Sequence, residues 1–440
     1  MTANHTRNKA QELQRALYLA AKRSAGRRFH ALYDKVYRED VLARAWAEVK
    51  ANRGAPGVDG VTIADIEARG EAEFLVELAA ELEAHRYRAQ PVRRVYIPKP
   101  GRPNEQRPLG IPALRDRVVQ QAAKIVLEPI FEADFRESSY GFRPRRSAHQ
   151  ALEKVRVTMN KGAQRVVDVD VRSFFDEIGH DVVLRLIRKR VSDRQMVKLI
   201  GAWLRAGVME SGERAETTTG TPQGGVISPL LANIVLHVLD SVWEKRCGHL
   251  GVLVRYADDL VVLCRSGTGA EESLRRIGIV MEHLGVQLHP TKTRIVDARL
   301  GKEGFDFLGF HHRVKESRRW RGHWYLYKWP SVKARKAVCA KVKEVLGPPS
   351  ACSRPIGEQV KQVNSILRGW GAYFRVGNSA RHFGRIDNYV IYRFAKWDQR
   401  KRGRPNVGWK GERIPRLLKA AGLYRLSGTV RYSSTAHATG

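Results

Sequence analysis

Residues 253–264 read LVRYADDLVVLC, and this stretch decides the fold. Apolar residues lie on both sides of the acids Asp258 and Asp259. Two short apolar runs joined by a turn predict a β-hairpin with these acids at its tip. Acidic pairs also occur in ordinary turns. Because adjacent carboxylates repel each other without a cation, the hairpin is a candidate cation site.

A second acidic stretch, RVVDVDVRSFFDEI at residues 165–178, predicts a buried strand that carries carboxylates. A buried charge needs a partner, so we expect a cation beside Asp170. Strand alternation places Asp168 and Asp170 on one face, where one binds an ion while the other supports it, or both share it. Carboxylate oxygens are the ligands that Mg²⁺ prefers. Asp170 and the acidic pair of the hairpin therefore form a candidate metal site.

Helix and strand patterns surround these two stretches. Apolar residues recur at helical spacing over residues 15–50, before a run of turn formers at 52–60. Alternation followed by Pro and Gly predicts a hairpin edged with basic residues at 93–112. Further helices are predicted at residues 71–84, 116–131, 148–160 and 230–239. Strands interleaved with helices predict an α+β fold with a palm-like sheet.

The chain changes character after His311, where Trp, Tyr, Arg and Lys dominate. One amphipathic helix presents Val338, Val342 and Val345 on one face, and a second repeats apolar residues over 360–374. We therefore expect a helical, basic C-terminal module.

The charge balance predicts a polyanionic partner. The chain of 440 residues has 79 Lys and Arg against 45 Asp and Glu, a formal charge of +34. Cations that neutralise phosphates release condensed counterions, which favours nucleic acid over a merely basic soluble surface. The four cysteines are too scattered for a zinc module or a dense disulfide framework. Without a signal peptide or a membrane-length apolar run, we expect a cytoplasmic, nucleoid-associated protein with no membrane partner.

Residues 256–259, YADD, resemble the catalytic motif of reverse transcriptases, and Asp170 resembles the other half of the same palm site. The resemblance implies an RNA-directed DNA polymerase with a right-hand fingers and palm arrangement. It implies that Asp170, Asp258 and Asp259 are catalytic, and that two Mg²⁺ ions are held by these acids together with Val171. Two divalent ions activate the 3′-hydroxyl and neutralise the triphosphate in such reactions.

The resemblance also implies a deoxynucleotide pocket. Phe175 would lie beneath the sugar and exclude a ribose 2′-hydroxyl, unless it is one more buried ring. Residues 219–229, TGTPQGGVISP, resemble the pocket motif, although they also fit a glycine turn before a helix. Residues 284–293 resemble the segment after the palm hairpin, and FLGF at 307–310 the primer-gripping turn. Nucleotide-binding candidates are Lys99, Arg107, Arg115, Phe175, Gln223, Gly224 and Lys292. The alternative for each basic residue among them is an ordinary solvated side chain.

Flanking segments resemble bacterial group II intron-encoded reverse transcriptase/maturases. These segments are GAPGVDG at 54–60, RPLGIP at 107–112, RDR at 115–117, SYGFRP at 139–144 and ILRGWGAYF at 366–374. The resemblance implies binding of the intron RNA, help with its splicing, and copying of the RNA into DNA during retrohoming. The implied partners are group II intron RNA, an RNA template with a DNA primer, target DNA and deoxynucleotides (dNTPs).

Basic residues of the C-terminal module are the RNA-binding candidates. They are Arg368, Arg375, Arg381 and Arg385. Arginine meets phosphate, whereas exposed aromatic rings stack on unpaired bases. Trp370 and Phe374 fit a core stripe better than base stacking.

The resemblance divides the chain into four parts. A helical N-terminal extension covers residues 1–92, and fingers and palm cover 93–315. A helical thumb and maturase domain covers 316–400, and a short basic DNA-binding-like tail covers 401–440. Because no Cys- and His-rich HNH nuclease follows, we expect priming from existing 3′ ends.

Two alternatives stay open. One is a retron- or defence-type reverse transcriptase without a maturase role, and the other is an RNA chaperone with a vestigial polymerase. Three acids that are costly when buried without a metal argue against the second alternative. The sequence does not decide between a monomer and a homodimer.

Overall fold

The computed structural model describes residues 3–99, 102–172, 174–210, 213–215, 224–317, 320–403 and 413–431. Side chains are described in these ranges except at residues 3–8, 99, 102–105, 175, 176 and 214. The chain forms two compact units. The larger unit draws on residues 1–98, 105–154 and 166–295, and the smaller on 99–104, 155–165 and 296–440.

Helices dominate the first part of the chain. The elements in order are α1 (Ala3–Arg23), α2 (Tyr33–Val36), α3 (Glu39–Ala51), α4 (Ile63–Arg69), α5 (Glu71–Glu83), β1 (Val92–Lys99), β2 (Arg102–Ile111), α6 (Leu114–Glu132), α7 (Ala148–Asn160), β3 (Arg165–Val169), α8 (Phe174–Glu177), α9 (His180–Arg188), α10 (Arg194–Arg205), β4 (Val208–Glu210) and β5 (Glu213–Ala215).

The second part combines hairpins with long helices. Its elements are α11 (Ser228–Val242), β6 (Val252–Tyr256), β7 (Asp259–Cys264), α12 (Gly267–His283), β8 (Arg294–Asp297), β9 (Phe305–Phe307), β10 (Phe310–Glu316), β11 (Trp324–Pro330), α13 (Val332–Leu346), α14 (Ile356–Phe374), α15 (Ala380–Lys401) and α16 (Arg413–Ala420).

The strands of the described residues form three sheets. Their strand orders are β2-β1-β4-β5, β6-β7-β3-β8 and β11-β10-β9. In the second sheet β6 and β7 are antiparallel, with Val252 opposite Leu263 and Tyr256 opposite Asp259. Strand β3, which precedes Asp170, is the next neighbour of β7. The predicted mixture of helices and sheets, with both acidic stretches in one sheet, is confirmed.

Helix α6 forms the centre of the larger unit, since most of its residues are buried, including the polar Gln120 and Gln121. Val118 and Val126 are completely buried, and α1 and α3 pack against the helix. Asp116 anchors its first turn, accepting hydrogen bonds from the Tyr87 hydroxyl (2.6 Å) and the Gln90 backbone N–H (3.0 Å).

Most predicted elements are present. The helices predicted at 71–84, 116–131 and 148–160 are α5, α6 and α7, and the hairpin predicted at 93–112 is β1 and β2. The helical pattern over 15–50 is interrupted, since an irregular connection follows α1 and pairs Phe29 with Val191. In this connection the Phe29 N–H donates to the Arg190 carbonyl oxygen (2.8 Å) and not to a carbonyl group of a helix that continues α1.

The expectation of an entirely helical C-terminal module is wrong at its start. Strands β10 and β11 form a hairpin before α13, α14 and α15. Every second residue of the hairpin is buried, for example Val314 and Leu326, whereas their neighbours Arg313 and Tyr327 are half-exposed. This period of two is that of a strand. The predicted helices then follow, with Val338 and Val342 buried in α13.

All four cysteines carry free thiols, and Cys247 and Cys264 are buried. Within the described ranges, no helix is long and apolar enough to cross a membrane.

Candidate active site

The acidic pair lies in a tight turn between β6 and β7. Tyr256 and Asp259 are the last paired residues of the hairpin, so Ala257 and Asp258 form a two-residue loop. Ala257 has a φ of 57°. A residue with a Cβ adopts this backbone conformation at a cost of roughly 1–2 kcal/mol. The turn therefore depends on its surroundings to keep its shape.

The side chain of Arg255 is fully buried and stabilises this turn through hydrogen bonds. Its Nη1 donates to the carbonyl oxygen of Ala257 (2.9 Å) and to Asn233 Oδ1 (3.0 Å). Its Nε and Nη2 donate to the two carboxylate oxygens of Asp240, and Nη2 also donates to Ser139 Oγ (2.7 Å). Since Asn233 and Asp240 belong to α11, the guanidinium connects the turn to that helix.

A neighbouring segment packs against the same turn. The Tyr140 N–H donates to the Arg255 carbonyl oxygen (2.9 Å), and Asn233 Nδ2 donates to the Gly141 carbonyl oxygen (2.8 Å). A Cβ on Gly141 would lie 2.3 Å from the backbone nitrogen of Ala257. Only glycine fits this approach of two backbones. The segment SYGFRP thus has a structural role beside the acidic pair.

Asp170 lies immediately after β3, where the chain meets the segment following α12. Its carbonyl oxygen accepts hydrogen bonds from the His289 N–H (2.8 Å) and Thr293 Oγ1 (3.2 Å). Its carboxylate Oδ1 lies 3.4 Å from Lys292 Nζ. The structure therefore brings together Asp170 and Lys292, two of the predicted site residues.

The acids are less buried than the sequence predicts. The Asp170 side chain is 42% exposed, Asp258 is half-buried and Asp259 is exposed. Each lies at a strand end or in a turn, so water reaches it. The predicted burial is wrong for this reason, and it no longer argues against a vestigial polymerase. Asp168, inside the strand, pairs instead with Arg294 (Nε–Oδ2, 3.5 Å).

The oxygen atoms of these carboxylates are the type of ligand that binds hard cations such as Mg²⁺. Asp258 has no hydrogen-bond or ion-pair partner among the described residues, and a lysine ammonium lies beside Asp170. Carboxylate oxygens left without protein donors suit Mg²⁺. The described residues nevertheless contain no group of three or more His, Cys, Asp or Glu side chains gathered to hold a metal ion. The metal ligands Asp170, Val171, Asp258 and Asp259 therefore stay a prediction.

The predicted nucleotide pocket is described only in part. Gln223 and the side chains of Lys99 and Phe175 lie outside the described residues. Gly224 has a φ of 113°, and a Cβ there would lie 2.4 Å from the carbonyl oxygen of Gly110. Glycine is needed where the pocket motif approaches β2 this closely.

Two of the residues predicted to bind the triphosphate, Arg107 and Arg115, differ in their surroundings. Arg107 is exposed on β2. Arg115, at the start of α6, donates to the Glu81 carboxylate, and its guanidinium carbon lies 5.7 Å from the centroid of the Tyr87 ring. The structure thus engages Arg115 in protein contacts, and a nucleotide role for either residue stays a prediction.

The arginines predicted to bind RNA lie in the smaller unit. Arg381 and Arg385 are exposed on α15, and Arg375 is half-buried at the end of α14. Arg368 is exposed, with its guanidinium carbon 5.3 Å from the centroid of the Tyr424 ring. These positions leave the cationic groups of Arg381 and Arg385 accessible to a polyanion.

The rings of the maturase-like segment pack as predicted. Trp370 and Phe374 lie 4.6 Å apart between ring centroids, and Phe374 is 6% exposed. The core interpretation of this pair is confirmed. The FLGF segment forms a tight β9–β10 turn, with positive φ at Leu308 and Gly309, and the Tyr373 hydroxyl donates to the Leu308 carbonyl oxygen (2.9 Å).

Sequence reasoning missed the residues that hold the acidic turn. Arg255 interrupts an apolar strand, and Asp240 lies in an otherwise apolar stretch of α11. Charged residues in such positions are rarely buried without a partner of opposite charge. That pattern was the available signal for the Arg255–Asp240 pair.

Two protein families match segments of this chain. Residues 97–312 match the family Reverse transcriptase (RNA-dependent DNA polymerase), and residues 335–414 match Group II intron, maturase-specific domain. The chain belongs to the group II intron reverse transcriptases. As a group II intron reverse transcriptase, it combines an RNA-directed DNA polymerase domain with a maturase domain. The second domain argues against the retron-type alternative.

Individual relatives show the extent of the similarity. The chain is 34% identical to Protein YkfC of Escherichia coli (strain K12) over 345 residues, 70% of this chain and 89% of YkfC. It is 40% identical to the Group II intron-encoded protein LtrA of Lactococcus lactis subsp. cremoris over 213 residues, 48% of this chain and 35% of LtrA. The chain thus covers about a third of LtrA. A chain of a partial Cas6-RT-Cas1–Cas2 complex is more distant, at 24% identity and a TM-score of 0.35 over 57% of this chain and 42% of that chain.

Proposed function

We propose that this reverse transcriptase copies RNA into DNA at Asp170, Asp258 and Asp259, and that its basic C-terminal module binds a group II intron RNA. The observation that carries the first part is Asp258, which has no partner among the residues that the structure describes, on a strained turn in the same sheet that leads to Asp170. Adjacent carboxylates repel each other, and a bound cation would relieve that repulsion.

The proposed metal ligands are Asp170, Asp258, Asp259 and the backbone of Val171. Reverse transcriptases use divalent metal ions, and two bound Mg²⁺ ions would activate the primer 3′-hydroxyl and neutralise the leaving pyrophosphate. Lys292 would meet a phosphate of the incoming dNTP, and its ammonium, 3.4 Å from Asp170, supports this role. The partners are an RNA template with a DNA primer.

The proposed layout follows the right-hand arrangement. Residues 93–315 form fingers and palm after an N-terminal extension at 1–92, residues 316–400 form the thumb and maturase domain, and 401–440 form a basic DNA-binding-like tail. The matched ranges 97–312 and 335–414 support this division. In the proposed cycle, the module assists splicing of the intron RNA, which is then copied at target DNA during retrohoming.

One experiment separates the two activities. The double variant Asp258→Ala, Asp259→Ala should lose DNA synthesis and retain intron splicing at low magnesium. The double variant Arg381→Gln, Arg385→Gln should lose affinity for intron RNA and retain extension of a short primer. Loss of both activities in the acidic variant, with unchanged folding by circular dichroism, would contradict the proposed division of roles.

A further inference from the structure

The β10–β11 hairpin has one buried face and one half-exposed face. Its register pairs His311 with Trp329, Arg313 with Tyr327 and Lys315 with Tyr325. These six residues alternate with buried ones, so they share the second face, which we name the outward face. Basic residues of β10 thus run beside aromatic residues of β11.

The two tyrosines of the outward face offer accessible rings. Tyr325 is 38% exposed and Tyr327 is half-exposed. Among the described residues, neither ring has a ring contact and neither hydroxyl has a hydrogen bond. Rings that are exposed in this way can accept a base by stacking. They suit a ligand with flat rings of its own.

Trp329, at the other end of the face, is already covered. Lys315 Nζ lies 4.6 Å from its ring centroid, and the His311 ring centroid lies 5.1 Å away. The His382 ring of α15 stacks on it at 6.1 Å with an interplanar angle of 16°. This end of the face is therefore a closed aromatic stack rather than a stacking site.

Cations surround that closed end. Arg335, Arg381 and Arg385 lie close enough to His382 that, after burial, they and Lys315 hold its pKa at about 4. In the described part of the chain, none of these four cations pairs with a carboxylate. Unpaired cations repel each other unless an anion is present. Among the described residues, an acid does contact this face at His311, whose Nδ1 lies 2.7 Å from Asp306 Oδ1.

We propose that the outward face binds an unpaired stretch of RNA, with bases stacked on Tyr325 and Tyr327 and phosphates along Arg313, Lys315 and the cations around His382. This proposal rests on the RNA-binding role proposed above and names the form of RNA that is bound. Bases stack on aromatic rings with little sequence preference, while cations follow the backbone.

The distance between the rings of Tyr325 and Tyr327 favours single-stranded RNA over an RNA duplex. Tyr325 and Tyr327 are two residues apart on one strand, which separates them by about 6.6 Å. Stacked nucleotides in a helix rise by about 3.4 Å. Two bases on these rings are therefore about twice as far apart as in a duplex, which requires the splayed bases of an unpaired segment.

The test is equilibrium binding of a short unstructured RNA oligonucleotide and of an RNA duplex to the full chain. The variants are Tyr325→Ala, Tyr327→Ala and the double variant, with Tyr325→Phe as the conservative variant. The control is Tyr392→Ala, which removes a 41% exposed ring on α15. Because one stacked base contributes about 1–3 kcal/mol, each alanine variant should weaken single-strand binding by about fivefold to a hundredfold. Duplex binding, Tyr325→Phe and Tyr392→Ala should stay near wild type.

Two results would overturn the proposal. One is unchanged single-strand affinity in the double variant, and the other is an equal loss of single-strand and duplex affinity. Primer extension is measured on the same variants and should persist, since neither tyrosine belongs to the proposed catalytic residues. Loss of extension only in Asp258→Ala, together with normal oligonucleotide binding there, would keep the two proposals distinguishable.

Discussion

Arg255 and Asp240 form a bidentate ion pair in which both side chains are completely buried. The Nε–Oδ1 distance is 2.9 Å and the Nη2–Oδ2 distance is 2.5 Å. The same guanidinium donates to the carbonyl oxygen of Ala257, in the turn that carries Asp258. A structural ion pair therefore sets the conformation of the proposed catalytic turn.

Asp240→Asn removes the counter-charge of a buried guanidinium. We expect the free energy of unfolding to fall by about 3–5 kcal/mol, because an uncompensated buried charge is strongly destabilising. Urea unfolding measures the change. The control is Asp306→Asn, which breaks the half-exposed His311 pair and should cost less than about 1 kcal/mol. Similar small losses in both variants would show that the buried pair contributes little.

The double variant Arg255→Met, Asp240→Leu removes both charges together. Apolar replacements of similar volume should restore most of the lost stability, since neither charge then needs a partner. DNA synthesis should still fall by tenfold or more, because misplacing reacting groups by about 1 Å can cost about a hundredfold. The readouts are urea unfolding and the rate of primer extension at saturating dNTP. Full activity in a stable double variant would mean that the turn keeps its shape without Arg255.

Gly141→Ala should damage the same turn through a different contact. The new Cβ would lie 2.3 Å from the Ala257 nitrogen, so one of the two backbones must move. We expect a drop in primer extension of at least about tenfold, by the same positional sensitivity. The matched control is Gly278→Ala in α12, where nothing lies within 4 Å and alanine favours a helix. Equal activity of the two variants would contradict the close approach.

Lys292→Ala separates a nucleotide role from a structural one. Lys292 and Asp170 are 51% and 42% exposed, so their ion pair should contribute less than about 1 kcal/mol to stability. A lysine that meets the triphosphate should instead raise the KM for dNTP by about tenfold or more, as loss of a charge-assisted contact does. The control is the exposed Lys302→Ala. An unchanged KM would remove Lys292 from the proposed site.

Asp116 predicts a pH dependence of stability. Burial raises the pKa of its carboxyl from 3.8 to about 6, although the hydrogen bonds from Tyr87 and Gln90 act to lower it. The folded state therefore binds the proton more tightly than the unfolded state, so this contribution to stability is full below about pH 4 and lost as the pH rises through about 6. The stability of wild type relative to Asp116→Asn should fall by up to about 3 kcal/mol between about pH 4 and pH 7. A difference that stays constant with pH would contradict the raised pKa.

The sequence predicted those elements whose pattern is local. Alternation predicted the β1–β2 hairpin, two apolar runs joined by a turn predicted β6–β7, and helical periodicity predicted α5, α6 and α7. The β10–β11 hairpin was missed because aromatic and basic residues fit both a polar helix and a half-exposed strand. The Arg255–Asp240 pair was missed because its partners lie on different elements, and only packing brings them together.

The sequence also did not predict that Asp170, Asp258 and Asp259 are accessible to water. The run around Asp170 consists of β-formers, which predicts burial, yet β3 ends at Val169 and the carboxylate lies just beyond it. A shift of one residue at a strand end decides whether a side chain is inside the sheet or at its edge. Element ends are set by tertiary contacts, here with Thr293 and His289.

RNA-templated primer extension by the purified protein, with magnesium and dNTPs, tests the central claim most directly. Wild type is measured beside Asp258→Ala and beside Asp306→Ala, an exposed acid on β9 that the proposed site does not use. The account predicts DNA product from wild type and Asp306→Ala and none from Asp258→Ala, while Asp258→Ala binds RNA as tightly as wild type. DNA synthesis by Asp258→Ala at the wild-type rate would contradict the assignment of the catalytic turn.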